Sequence, residues 1–216
     1  MRGEIENAGY MAFFDALVAG RLKLGQTLTQ DELCKVLGLS LSPMRETTTL
    51  LEAEGLITVR RKVGITIFYP DVKFVGNCFQ FRGLLEREGL RKFAQTVTPE
   101  WTTTMRNEHV EIIDFVRRVN EIERYRIPVK LLERRFHDTF IAAFENDQIT
   151  VNYGRLTQKM YLLRLHNLNA VGPANTVTSM EEHLVIIDAL KAGDVDAACD
   201  GLDRHLQGVL HRVLTT

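Results

Sequence analysis

The chain has 216 residues, of which 45% are hydrophobic and 25% are charged, and its formal net charge is −1. This length suffices for one small and one mid-sized domain, each with its own core. The chain has no run of 18 apolar residues and no signal-peptide pattern, so we expect a cytoplasmic protein with no membrane segment. Cys34, Cys78 and Cys199 are far apart and form no CxxC pair, which favours buried thiols in a reducing compartment.

The first elements in the chain are two predicted helices. Apolar residues at helical spacing predict a helix over residues 4–20. Thr29-Gln-Asp-Glu32 is a capping box, in which the Thr29 hydroxyl and the Glu32 carboxylate satisfy free amides at a helix start. This second helix is expected to end near Leu37.

A third helix and a hairpin follow. Ser42-Pro43 predicts the helix start, with Ser42 as the cap, and Gly55 suits the left-handed residue that ends it. Two β-prone segments, 56–61 and 65–68, then turn at residues 62–64. A short helix followed by a basic-tipped hairpin is typical of a winged helix-turn-helix, whose helix enters the DNA major groove while the wing lies beside the backbone.

The DNA-binding surface is expected to be local, because residues 1–70 contain eight Lys/Arg and eight Asp/Glu. The predicted contacts lie in the third helix and the wing: Ser40, Ser42, Met44, Arg45, Arg60, Arg61, Lys62 and Gly64. The alternative for the basic run at residues 60–62 is a solvated hairpin tip.

The second domain is predicted to be all-helical. Tyr69-Pro70-Asp71 suggests a boundary between domains at residues 1–70 and 71–216, because proline cannot join a strand ladder. Helices are predicted over residues 76–96, 99–124, 128–144, 148–168, 179–193 and 194–213. Ser179-Met-Glu-Glu182 resembles a second capping box, and Asp194 is the expected cap of the last helix. The predicted fold class is mainly α: a winged helix-turn-helix with a small β wing, then an antiparallel helical bundle.

Four residues of this bundle could hold a metal ion. Glu133 and His137 are four residues apart, so they share one face of a helix, and His183 and His205 lie on two later helices. One carboxylate and three imidazoles suit a divalent ion, zinc first, with nickel or manganese as alternatives. The other reading is that these are ordinary core or surface histidines, like the three outside the set: His109, His166 and His211.

The N-terminal motifs resemble a known family. The DNA-binding domain of GntR-type transcriptional regulators is similar to three segments of this chain: Leu37-Gly38-Leu39-Ser40, residues 42–46 (SPMRE) and residues 51–57 (LEAEGLI). That family usually has a basic residue where this chain has Leu41, and Ala-Leu where it has Thr47-Thr48.

The C-terminal motifs resemble the FadR C-terminal, or FCD, effector domain. They are residues 81–86 (FRGLLE), Phe136-His137 with Asn146 nine residues later, and residues 183–206. The resemblance implies a metal held by Glu133, His137, His183 and His205, with glutamate where the family has aspartate. It also implies an effector site with Arg82, Asn146 and Arg164, although Arg82 could instead pair with Glu86 along its own helix.

These resemblances imply a homodimeric repressor of a metabolic operon. It would bind a palindromic operator and respond to a small organic-acid or sugar-acid effector at the metal. A second hypothesis is a metal-dependent hydrolase or isomerase built on the bundle, because three histidines and a carboxylate could activate water. A third is a DNA-binding regulator whose metal site is vestigial.

Overall fold

The computed structural model describes residues 8–166 and 171–215, and the side chains of residues 163–166 lie outside that description. The described elements are α1 (Ala8–Val18), β1 (Thr27–Leu28), α2 (Gln30–Leu37), α3 (Leu41–Ala53), β2 (Ile57–Arg60), β3 (Gly64–Ile67), α4 (Val72–Phe93), α5 (Pro99–Val119), α6 (Ile122–Ala142), α7 (Asp147–His166), α8 (Pro173–Ala192) and α9 (Val195–Thr215). They form two compact units, Met1–Asp71 with Thr157–His166, and Val72–Leu156 with Asn167–Thr216. The predicted fold class is confirmed.

The first unit is a winged helix-turn-helix. Its three-stranded antiparallel sheet has the order β1-β3-β2, with Leu28 opposite Ile65 and Arg60 opposite Gly64. The sequence did not predict β1, because two residues are too short to show an alternating pattern. The buried core of this unit includes Phe13, Leu33, Met44, Leu51, Ile67 and, from α7, Leu162.

The helix starts in the first unit agree only in part with the prediction. The capping box of Thr29 and Glu32 is confirmed. The predicted cap Ser42 is wrong: α3 begins at Leu41, with Ser40 at the N-cap position in an extended conformation. Pro43 therefore lies in the first turn, where a helix has no partner for a backbone N–H.

The second unit is a bundle in which α4 packs against α6 and α9, α5 packs against α6 and α8, and α8 packs against α9. The prediction that Pro128 starts a helix is wrong, because Pro128 lies inside α6. The second capping box is also wrong: α8 begins at Pro173, which places Ser179 and Glu182 within the helix. Asp194 accepts a hydrogen bond from the amide of Ala197 at 2.9 Å, as expected of the cap of α9. None of the helices described here is long and apolar enough to cross a membrane.

Candidate metal centre and DNA-binding surface

Three histidines from three helices meet inside the bundle. His137 lies on α6, His183 on α8 and His205 on α9, and all three side chains are buried. One ring nitrogen from each histidine lies within 4.8 Å of a ring nitrogen of the other two. The Nε2 atoms of His183 and His205 are 3.1 Å apart. The fold therefore brings together three histidines that are far apart in the sequence.

Two of these rings are oriented by carboxylates. Nδ1 of His137 lies 2.7 Å from Oε2 of Glu86, and Nδ1 of His205 lies 2.7 Å from Oε2 of Glu182. An ionised carboxylate only accepts, so each Nδ1 carries the hydrogen and donates it. In the neutral form of each ring, the lone pair is then on Nε2. Metal-binding histidines in proteins usually have this arrangement, with the second ring nitrogen donating to a carboxylate or carbonyl.

Glu133 lies beside the cluster. It is on α6, one helical turn before His137, and only 7% of it is exposed. Its carboxylate acts on the pKa values of Arg82, His109 and His205, although burial is the largest influence on each. Among the residues that the structure describes, the atoms within 4.8 Å of one another come from the three histidines and not from Glu133.

Arg82 and Glu86 form a buried pair on α4. Nε of Arg82 donates to Oε1 of Glu86 at 2.5 Å, and the hydroxyl of Tyr153 donates to the same oxygen at 2.7 Å. The alternative of a pair along one helix is therefore what the structure contains. In the part of the chain that is described, the two terminal amino groups of Arg82 have no hydrogen-bond acceptor, and the residue is 4% exposed.

The pair stays ionised despite its burial. Burial favours the neutral form of Glu86, but the charge of Arg82 and the hydrogen bond from His137 outweigh it and hold the pKa of Glu86 below its usual value. Burial also favours neutral Arg82, and Glu86 outweighs it and raises the pKa of Arg82. Burial raises the pKa of Tyr153 well above its usual value, so Tyr153 remains a donor.

Two of the histidines, unlike the Arg82–Glu86 pair, are kept neutral by burial. Burial lowers the pKa of His183 well below 6.5, and it lowers the pKa of His205 to about 4 against the hydrogen bond to Glu182. Both rings are therefore neutral near pH 7, the form in which imidazole binds a metal.

The other two predicted effector residues differ from Arg82. Asn146 is exposed, and its side-chain oxygen accepts from the amides of Gln148 (2.9 Å) and Ile149 (3.3 Å) at the start of α7. The structure thus gives Asn146 a capping role. The side chain of Arg164 lies outside the described residues.

The predicted DNA contacts are mostly exposed. Ser40, Ser42 and Arg45 are exposed on or next to α3, and the wing exposes Arg60, Arg61 and Lys62. Two of the predicted residues have another explanation. Met44 has 0% exposure and lies in the core of the first unit, so its inclusion was wrong. Gly64 has φ 121°, and a Cβ there would lie 2.7 Å from the carbonyl oxygen of Leu28, so the sheet requires glycine.

A winged helix-turn-helix joined to a helical bundle is typical of the class of DNA-binding regulators. Family models agree: "Bacterial regulatory proteins, gntR family" matches residues 12–67, and "FCD domain" matches residues 77–208. The chain belongs to the gntR family of bacterial regulatory proteins and carries an FCD domain. It is a DNA-binding transcriptional regulator and not an enzyme, so the hydrolase or isomerase hypothesis is not supported.

Relatives and solved structures are similar over most of the chain. The HTH-type transcriptional regulator YdhC of Bacillus subtilis (strain 168) is 23% identical over 88% of this chain and 84% of its own length. The structure of E. coli McbR/YncC has a TM-score of 0.69 at 19% identity and covers 93% of both chains, which is a similarity of fold. The metal-free FCD domain of TM0439 has a TM-score of 0.52 at 25% identity, covering 67% of this chain and 94% of that one.

The sequence did not predict two neighbours of the histidines, His109 and the carboxylate of Glu182, or the hydroxyl of Tyr153 that donates to Glu86. Glu182 directly precedes the cluster residue His183 in the sequence, yet its spacing from Ser179 predicts a capping box. Glu86 was expected only as a partner of Arg82. No spacing rule could have found these contacts, because they join different helices of the bundle.

Proposed function

We propose that this regulator is a homodimeric repressor of a metabolic operon, released from DNA by a small organic acid or sugar acid that binds at a metal ion in the helical bundle. Each protomer would place one recognition helix and one wing on half of a palindromic operator. The proposed action on chromosomal DNA places the protein in the cytoplasm.

The observation that carries the metal proposal is the approach of three buried imidazoles. Nitrogens bound to zinc at about 2.0–2.1 Å in a tetrahedral site are about 3.3 Å apart, close to the 3.1 Å between His183 and His205. The lone pairs on Nε2 of His137 and His205 need a cation or a donor, and burial disfavours protonation of His205. We propose His137, His183 and His205 as ligands, with Glu133 as the fourth. Nitrogen ligands suit zinc, and nickel or manganese are alternatives.

The charges of the centre favour an anionic effector. Arg82 and Glu86 cancel each other, and a divalent ion would add positive charge to the buried centre, which a carboxylate would offset. We propose that this carboxylate binds beside the metal and accepts from the terminal amino groups of Arg82. Anion binding should therefore require the metal.

Two observations support the DNA and dimer proposals. The exposed residues Ser42 and Arg45 on α3 and the basic residues of the wing offer donors to base edges and phosphates. In the second unit, α4 and α6 pack against each other and expose Leu84 and Leu131, which are 69% and 61% exposed. Large exposed apolar side chains are common at surfaces that a partner covers.

The first test is elemental analysis of protein purified without chelator or nickel resin. We expect one divalent ion per chain in the wild type and lower occupancy in His137→Ala. His211→Ala is the matched control, because His211 is an exposed histidine on α9. A metal-free wild type with an undiminished effector response would leave the vestigial-site hypothesis standing.

The effector is tested with a panel of hydroxy acids and sugar acids, such as glycolate, malate and gluconate. An effector should raise the melting temperature only in metal-loaded protein and should lower affinity for the DNA upstream of neighbouring operons. It can release DNA only if it binds the DNA-incompetent state more tightly. Arg82→Ala should weaken both effects and retain the metal. If chelation melts the bundle and no acid changes either measurement, the metal is structural.

A further inference from the structure

We propose that His109 is a positioning residue for the metal centre: it fixes the hydrogen of His183 on Nδ1, so that the lone pair on Nε2 faces the metal position. His109 lies on α5, outside the predicted ligand set, and has 0% exposure. The inference deepens the proposed function, because it concerns how one of the proposed ligands is prepared for a metal.

The assignment follows from a chain of two hydrogen bonds. Nδ1 of His109 lies 2.7 Å from the backbone oxygen of Met105, which can only accept, so this Nδ1 carries the hydrogen. A neutral imidazole has one N–H, so Nε2 of His109 is an acceptor. It lies 3.0 Å from Nδ1 of His183. His183 must therefore donate from Nδ1 and keep its lone pair on Nε2.

His109 takes the place that carboxylates take at the other two histidines. Glu86 accepts from His137 and Glu182 accepts from His205, whereas His183 has only the neutral His109 in that role among the described contacts. A third carboxylate here would add another negative charge to a buried centre, at a cost in desolvation. An imidazole orients the ligand without adding that charge.

The same hydrogen bond prevents a competing state. If Nε2 of His183 carried the hydrogen instead, it could donate to Nε2 of His205, 3.1 Å away. The two rings would then be hydrogen-bonded to each other through their Nε2 atoms, and neither Nε2 would have a lone pair available for a metal. The ring of Phe136 stacks on that of His183, with centroids 4.3 Å apart, and meets that of His109 edge-on, with centroids 5.4 Å apart. These contacts keep both histidine rings in place.

The test compares His109→Phe, which keeps a planar ring without an acceptor, with His109→Gln, whose amide oxygen can accept from His183. Affinity for Zn²⁺ and Co²⁺ is measured by competition with a chelator. We expect His109→Phe to weaken binding by about 10–100-fold with one site per chain retained, and His109→Gln to recover most of the loss. Ile113→Val, a buried change on the same helix, is the control for destabilisation and should leave the affinity unchanged.

A second measurement needs no metal. Nitrogen-15 NMR of the imidazoles is recorded at pH 7.5 on protein from which a chelator has removed metal. We expect the hydrogen of His183 on Nδ1 in the wild type and a shift of the tautomer toward Nε2 in His109→Phe. A wild-type hydrogen on Nε2 overturns the inference, as does equal metal affinity in His109→Phe and wild type. If the wild type binds no metal but shows the expected tautomers, the metal proposal fails and the orientation by His109 stands.

Discussion

At the scale of single residues, the Glu86 carboxylate accepts from three side chains: Arg82, His137 and Tyr153. Because Glu86 holds Arg82 through Nε before any ligand arrives, an effector would meet a guanidinium whose side-chain entropy is already lost, and preorganisation of this kind favours affinity. The sequence predicts that these residues lie in the bundle, because apolar spacing marks the inner face of each helix. It cannot predict that Glu86 meets His137, since they are 51 residues apart on helices whose relative rotation depends on packing.

Arg45 should contribute to base recognition. It is exposed on α3, next to the exposed Ser42 in the first turn. Arg45→Ala should weaken operator binding by about 1–3 kcal/mol relative to random DNA at the same salt concentration, if the contact is bidentate to a guanine. Arg61→Ala in the wing is the comparison: it should weaken binding to all sequences and flatten the salt slope by about 1. Equal losses on operator and random DNA for Arg45→Ala would assign it to phosphate contact.

At the scale of elements, helix ends were harder to predict than helices. Ser179-Met-Glu-Glu182 has the spacing of a capping box, but α8 continues through it because tertiary contacts use the same side chains. Arg212 donates to Oγ of Ser179 at 3.1 Å and to Oε2 of Glu182 at 2.8 Å. Glu182 in turn orients His205. A local motif cannot show this competition, which is decided by a helix that begins at Val195.

The wing depends on one glycine. Gly64→Ala places a Cβ 2.7 Å from the Leu28 carbonyl at a positive φ, so we expect loss of about 1–3 kcal/mol of stability in the first unit and weaker DNA binding. Gly76→Ala in α4 is the matched control: its Cβ meets nothing within 4 Å, and alanine should stabilise the helix by about 0.5–1 kcal/mol. Denaturant unfolding and a gel shift on each variant measure both effects. Equal stability of the two variants would contradict this role for Gly64.

At the scale of the whole molecule, fold class and domain order could be predicted because they follow from periodicity along the chain. A change from helical to alternating and back to helical spacing is enough to place a wing between two helical regions. The polar interior of the bundle could be predicted only as four candidate residues. The rest depends on α5, which brings His109 to His183, and α9, which brings His205 to Glu182.

The stability of the second unit should depend on pH through its buried histidines. The pKa of His205 is lowered from 6.5 to about 4 by burial, and burial also lowers the pKa values of His109 and His183. Below pH 6.5 the unfolded chain therefore binds more protons than the folded one, so stability is present above pH 6.5 and is lost as pH falls toward 4. His205 alone should account for about 2–3 kcal/mol between pH 6.5 and 4.5.

Unfolding of this unit can be followed by the fluorescence of Trp101 in protein from which a chelator has removed metal. Trp101 is the single tryptophan of the chain and lies on α5. The window from pH 6.5 to 4.5 separates protonation of the buried histidines from protonation of Glu86 and Glu182, whose pKa values lie below 4.5 although burial acts to raise them. Arg82 and His137 lower the pKa of Glu86, and His205 and Arg212 lower the pKa of Glu182. Metal-loaded protein should lose stability more steeply, because protons compete with the metal for the same nitrogens. A flat profile across this window would mean that the histidines are not held neutral by burial.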